Sequence, residues 1–256
     1  MPAIVPETWG RRETMQSPVG DITFLSAKSG WRFRTMFDKE PETIDWISAF
    51  EPNTLLIDIG ANVGIFSVYA AILGHRVIAI EPSPANYFQL CGNILLNDLS
   101  DSVVPLSNPL SDYTCFLPIN FQSLDFGASM ASIKEPLDFR NKQFNPSGQI
   151  SQLALTIDDI LVHYIKDRKN FKKIAIKIDV DGHEFTILKG SFKCLSDGAI
   201  DTILVELPEN EEQFVMEVNL FLKKFNFELV GIFQNPKFVT AETCDVKNYI
   251  FRHIGT

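Results

Sequence analysis

The stretch "KIDVDGHE" sets Asp179, Asp181, His183 and Glu184 at the end of the apolar run "KIAIKIDV". Four titratable side chains just past a run that should be buried need a reason. One is proton transfer. A hydroxyl is a poor nucleophile, and a positioned base that takes its proton speeds attack. An imidazole titrates near neutrality, which makes His183 a candidate base, with Asp181 the other. Asp179 suits holding a cationic group or the reacting hydroxyl. Capping competes with all of this. Asp181 and Glu184 have capping-box spacing, and acids at a helix start favour its dipole. Capping therefore accounts for either acid as well as catalysis does. Gly182 permits a tight turn, and His183 also reads as a solvated helix residue. A divalent ion is a third reading, but ligands this close in sequence reach one ion only through a sharp turn, so metal-free chemistry ranks above it.

A second cluster lies upstream. "TLLIDIGANVG" (54–64) climbs to Asp58 and breaks at Gly60 and Gly64, with Asn62 between. Gly60 lets the chain turn, and Gly64 lets a helix begin in close contact. Backbone N–H groups at such a turn face a ligand. Glu81 ends the next apolar run, 21 residues after Gly60, where an acid accepts hydrogen bonds from ribose hydroxyls. Two cofactors fit: a dinucleotide or S-adenosylmethionine. A pyrophosphate calls for a third glycine and little negative charge at the turn. S-adenosylmethionine has no phosphate and carries a sulfonium and an ammonium, so carboxylates beside it are favourable. Asp58 and Asn62 suit that ligand better. The bland alternative is an ordinary loop with a surface acid.

These clusters must be positioned by strands. "TLLIDI", "RVIAIE", "KIAIKIDV" and "AIDTILVEL" are nearly continuous apolar runs, as in parallel strands covered on both faces. "SVVPLSN" is a weaker one. Helical patterns separate them, over 63–73, from Ser83 and Pro84 to about Asn97, over "TIDDILVHYI" with Thr156 as cap, over "HEFTILKGSFKCL" and over "EEQFVMEVNLFLKKF". "FELVGIF" and "NYIFRHI" close the chain without a helix between them, which predicts an antiparallel pair at one sheet edge. Alternating elements predict an α/β, doubly wound sheet. Residues 1–50 are a lead-in with a short strand at "DITFLSA" and a helix at "ETIDWISAF". Residues 51–256 are read as the main α/β domain. It includes an irregular stretch, about 109–152, read as an excursion with short strands or a lid.

The 256 residues carry a net charge of −9, which argues against nucleic acid as partner. Four separated cysteines argue against zinc or disulfides. No signal-peptide pattern and no membrane-length apolar run is visible, so a cytoplasmic protein is expected. "KDRKNFKK" (166–173) reads as the basic end of a helix rather than a phosphate patch.

Several segments together resemble the FkbM family of S-adenosylmethionine-dependent methyltransferases. They are "FLSAKSG", "EPETIDWI", "LLIDIGANVGIFSVYAA", "VIAIEPSPANYFQLCGNILLND", "LTIDDIL", "IAIKIDVDGHEFTILKG" and "ILVEL", in that order. The resemblance runs over about 20–250. It implies a class I, Rossmann-like fold of seven strands with helices on both faces and the last strand antiparallel. It further implies O-methyl transfer to a small-molecule or saccharide hydroxyl. By resemblance Asp58, Gly60, Asn62 and Gly64 line the methionine end of the cofactor and Glu81 takes the ribose. Ser83 and Asn86 help close the pocket, Asn108 meets the adenine amino group, and Glu42 reaches in from the lead-in. Asp181 departs from the family's more usual glutamate by one methylene. The rival readings are a nicotinamide-dependent oxidoreductase and a catalytically silent binding module; the oligomeric state stays open.

Overall fold

The computed structural model describes residues 5–26, 28–129, 131–133, 135–137, 142–164, 171–239 and 246–255. The lead-in folds as a hairpin, β1 (Arg11–Ser17) and β2 (Gly20–Ser26), then three short helices, α1 (Gly30–Arg34), α2 (Met36–Lys39) and α3 (Pro41–Ser48). Alternation begins with β3 (Thr54–Ile59), α4 (Ile65–Ile72), β4 (Arg76–Ile80), α5 (Pro84–Leu96) and β5 (Val103–Leu106). An excursion carries β6 (Cys115–Phe121), β7 (Ala131–Ile133) and β8 (Gly148–Ala154). The chain resumes with α6 (Ile157–Tyr164), β9 (Lys173–Ile178), α7 (Glu184–Lys189), α8 (Phe192–Ser196), β10 (Thr202–Pro208) and α9 (Glu212–Lys223). It ends with β11 (Phe227–Phe233) and β12 (Val246–His253).

Seven strands form one sheet in the order β11-β12-β10-β9-β3-β4-β5. Neighbours from β10 to β5 run parallel, and β12 slots antiparallel between β10 and β11. The antiparallel pair expected at one edge is there, with β11 outermost.

Strand parity divides the core. Leu55, Ile57, Ile59, Ile174, Ile176 and Ile178 point to one face, under α6 to α9. Leu56, Val77, Ala79, Ala175 and Leu204 point to the other, under the lead-in, α4 and α5. Lys177 and Glu206 each follow their apolar neighbour by two residues and share that second face. Asp58 sits beside Lys177 in register.

One expectation changes, and one open alternative narrows to short strands. The helix read through "HEFTILKGSFKCL" divides into α7 and α8 around Gly190, where a Cβ would collide with the Ser111 carbonyl. Periodicity does not register such a long-range approach. The irregular stretch is ordered in its described parts as a three-stranded antiparallel sheet, β7-β6-β8. Its inner face turns Leu117, Ile119 and Phe121 into the protein, all buried. Thr156 caps α6 as expected, exchanging hydrogen bonds with Asp159 (2.9 and 3.2 Å). Most of the basic stretch 166–173 lies outside the described residues.

Candidate active site

The carboxyl ends of β3, β4 and β9 meet at one cavity, where an open α/β sheet binds its ligands. Gly60 turns the chain there at φ 81°. A Cβ at Gly60 would overlap the Asp179 carbonyl, so only glycine lets the first turn pass beneath the end of β9. Asn62 adopts φ 52°, which asparagine tolerates better than most residues. Gly64 (φ 84°) precedes α4, and a Cβ there would strike Leu90.

Gly60, Asn62, Glu81, Ser83, Asn86, Asp179, Asp181 and His183 all line the cavity. Asp58, Gly64 and Asn108 do not. Strand parity aims Asp58 under α4, where its Oδ2 accepts from Ser67 (2.5 Å) and its Oδ1 is buried without a partner. Gly64 acts through packing. Asn108 donates to the Leu153 carbonyl (2.9 Å), bracing β8. Glu42 accepts from Asn248 (2.8 Å), away from this cavity. Glu184 is buried off the lining and accepts from the Gly182 amide (2.9 Å), as a capping arm would. His183 accepts weakly from the Ile133 amide (3.3 Å) through Nε2. Among the described residues no three His, Cys, Asp or Glu side chains converge on a metal position.

Glu81 is buried, with Oε2 accepting from the Asn62 amide (2.8 Å) and Oε1 from the Ser83 amide (2.9 Å). Burial pushes its carboxyl up to about 7, against the pull of those two amides. The Asn86 side chain also bonds this carboxylate, which still has lone-pair capacity for a ligand hydroxyl.

The excursion supplies the opposite wall. Ile119, Phe121, Ala131 and Ile133 face the cavity, with Leu110 beside them. Its loop is fastened at Gly127–Ala128. Arg32 Nε donates to the Gly127 carbonyl (2.7 Å), and Asn62 and Asn86 donate to that of Ala128 (3.0 and 2.9 Å). Asn86 Oδ1 accepts from the Gly127 amide (2.7 Å). Asn62 and Asn86 thus brace the wall with their side chains, and Asn86 also bonds Glu81. Asn86→Ala should leave the fold intact, cost about 1–3 kcal/mol by leaving the buried Gly127 amide unpaired, and speed protease cleavage around Asp125–Ser129. Unaltered proteolysis would show that the loop is held by other contacts.

Beside Gly60, a second recess is lined by Trp31, Met36, Lys39, Glu40, Phe66, Lys177 and Asp179. Lys177 is 1% exposed and donates to Asp179 Oδ2 (2.7 Å). Burial opposes the Asp179 charge, but Lys177 outweighs it and holds that carboxyl well below the usual range. Glu206 hydrogen-bonds Asp179 and is pushed far upward by burial and then by the Asp179 charge. Arg32, Lys39 and Lys177 were missed in the sequence reading. Lys177 left a signal: a lysine inside a run expected to be buried on both faces.

A seven-stranded sheet in this order, with one antiparallel strand and a ligand cavity at the glycine turn, defines a class I, Rossmann-like methyltransferase fold. The chain belongs to the family described as the methyltransferase FkbM domain, whose sequence model matches residues 58–229. Methyltransferase sdnD of Sordaria araneosa is 27% identical over 162 residues, which is 56% of this chain and 62% of that protein. The match therefore spans less than two thirds of that relative. The hexuronic acid methyltransferase AglP of Haloferax volcanii is 21% identical over 218 residues, 85% of this chain and 82% of its own. Among solved structures, TYW2 of M. jannaschii in complex with AdoMet superposes with a TM-score of 0.45 at 14% identity, covering 96% of this chain and 88% of that one. That likeness is too distant to bear on function. Among the described residues, no helix is long and apolar enough to cross a membrane.

Proposed function

We propose that this methyltransferase moves a methyl group from S-adenosylmethionine to a hydroxyl of a neutral small molecule or saccharide. The observation that carries the reading is one cavity lined by Glu81 at the end of β4 and by Asp179 at the end of β9. A pyrophosphate between two such acids would be repelled, whereas a ligand with ribose hydroxyls and positive charge is attracted to both. That contrast disfavours a nicotinamide dinucleotide. Gly60, where any Cβ would overlap the Asp179 carbonyl, brings the ends of β3 and β9 together at this cavity.

S-adenosylmethionine, when bound, supplies an electrophilic methyl group on its sulfonium. Glu81 accepts from the ribose hydroxyls, and Leu110, Ile119 and Phe121 give the base an apolar wall. Asp179 holds the positively charged end. Asp181 and His183 line both this cavity and an adjoining cleft formed with Ser132, Glu135, Leu137, Pro208, Glu211 and Phe214. That cleft is where the acceptor enters, and His183 takes the hydroxyl proton. Holding the reacting groups in line supplies most of the acceleration, and the base adds about 10²–10⁴-fold. Glu135, Asp181 and Glu211 give the cleft a negative rim, which favours neutral acceptors over uronates.

Titration calorimetry with S-adenosylhomocysteine and NADH, followed by labelled-methyl transfer to neutral sugars, uronates and small alcohols, tests the reading. Binding of S-adenosylhomocysteine alone and labelling of a neutral hydroxyl are expected. A folded sample that ignores S-adenosylhomocysteine ends the proposal. His183→Ala should spare cofactor binding and lower turnover about 10²-fold or more.

A further inference from the structure

The second face of the sheet carries an unusual set of charges. Asp58 on β3 and Lys177 on β9 are register partners, and Asp179 lies two residues beyond Lys177 on the same side. Lys177 is sealed off from solvent, with its Nζ 5.1 Å from the centre of the Phe66 ring and 2.7 Å from Asp179 Oδ2. A buried ammonium is costly unless paired, and an apolar side chain of similar length would fill this space more cheaply. Its charge therefore calls for an explanation at the group it touches. Asp179 is that group, and it alone of the three reaches the ligand cavity, where a third of its side chain stays accessible.

We propose that Lys177 is a positioning residue: it aims the Asp179 carboxylate into the cavity and keeps it a fixed negative charge, an anchor for the cofactor's positive end and not a proton acceptor. The inference rests on the cofactor reading given above. A carboxylate already committed to an ammonium is a weak base, which leaves the hydroxyl proton to His183. The surroundings agree. Glu206 on β10 hydrogen-bonds Asp179, and burial followed by the Asp179 charge pushes its own carboxyl upward. Lys39, from α2, adds a second positive charge toward Asp179. Glu40, Asp58 and Glu184 are the acids that face this network from the lead-in, from β3 and from the start of α7. Without Lys177, Lys39 would be the one lysine left beside this group of acids, and Asp179 would take up a proton more readily.

The test compares wild type, Lys177→Met, Lys177→Arg and Asp179→Asn for binding of S-adenosylmethionine and S-adenosylhomocysteine from pH 4 to 9. Only the first ligand carries the sulfonium charge. Wild type should prefer S-adenosylmethionine across the range set by Asp179. Lys177→Met should keep that preference toward pH 9 and lose it by up to about tenfold at pH 4, because the acid limb, which starts well below the usual carboxylate range, moves up by about one to three pH units. Lys177→Arg should restore most of it. Asp179→Asn, which tests the anchor even if Lys177→Met does not fold, should lose the preference at every pH. The proposal is overturned if Lys177→Met weakens both ligands equally at all pH values, or if Asp179→Asn leaves their ratio unchanged. Failure of wild type to bind either ligand would instead count against the cofactor reading.

Discussion

Gly60→Ala is expected to cost about 2–5 kcal/mol of folding free energy, the sum of a left-handed alanine and an overpacked contact. The backbone there has φ 81°, and the new methyl would overlap the Asp179 carbonyl. Relief requires moving the end of β9 away from the end of β3. That shift would carry Asp179 and the turn after it out of line with the cavity, so cofactor binding should disappear even where the variant stays folded. Gly74→Ala is the control. Gly74 also has positive φ (91°), yet a Cβ there meets nothing within 4 Å. It should cost only the backbone part, about 1–2 kcal/mol. Urea unfolding of both variants measures the difference. Equal midpoints would mean that the crossing at Gly60 has room to spare.

The second large effect concerns Glu81. Removing its carboxylate in Glu81→Ala should weaken S-adenosylhomocysteine binding at least about 100-fold, since two charge-assisted hydrogen bonds to the ribose go with it. In wild type the same group makes binding depend on pH. Its carboxyl titrates at about 7 in the folded protein because burial disfavours the charge. The charged form is the better acceptor, so affinity should fall by up to about tenfold per pH unit below that value. Stability moves the other way. A folded pKa raised from 4.5 to about 7 contributes stability that is complete below 4.5 and lost as pH rises through 7. At pH 8 the ligand-free protein therefore carries roughly 3 kcal/mol of strain from ionised Glu81. Glu81→Ala is free of it. Relative to wild type, the variant should gain about that much between pH 4.5 and 8, while losing its ligand. Calorimetric melts at the two pH values check this; a constant difference between the proteins would show that Glu81 is solvated when the cavity is empty.

The framework was legible in the chain. Continuous apolar runs ending in Asp58, Glu81 and Asp179 require strands covered on both faces, and helical periods between them force parallel crossovers. Gly60 and Gly64 marked the turn because positive φ leaves a compositional trace. The capping partnership of Thr156 with Asp159 is local and readable for the same reason.

The excursion was less legible. Its strands are short, and its polar loop is fastened by Arg32, Asn62 and Asn86, residues at least 41 positions from the Gly127 and Ala128 backbone groups they bond. No local pattern encodes such contacts. Asn62 and Asn86 line the cavity, as their place in the motif suggests, and their side-chain amides also grip its wall.

What the sequence by itself determined is the sheet, the turn, and the pair of strand-end acids, because each follows from local period and backbone preference. Only the tertiary structure decided which acids face the ligand. Asp58 and Asp179 both follow apolar strands, but Asp58 is covered by α4 while Asp179 extends past the strand end into the cavity. The cation that governs Asp179 lies on the same strand, one pleat back, and its effect arises because folding removes the water that would otherwise screen it.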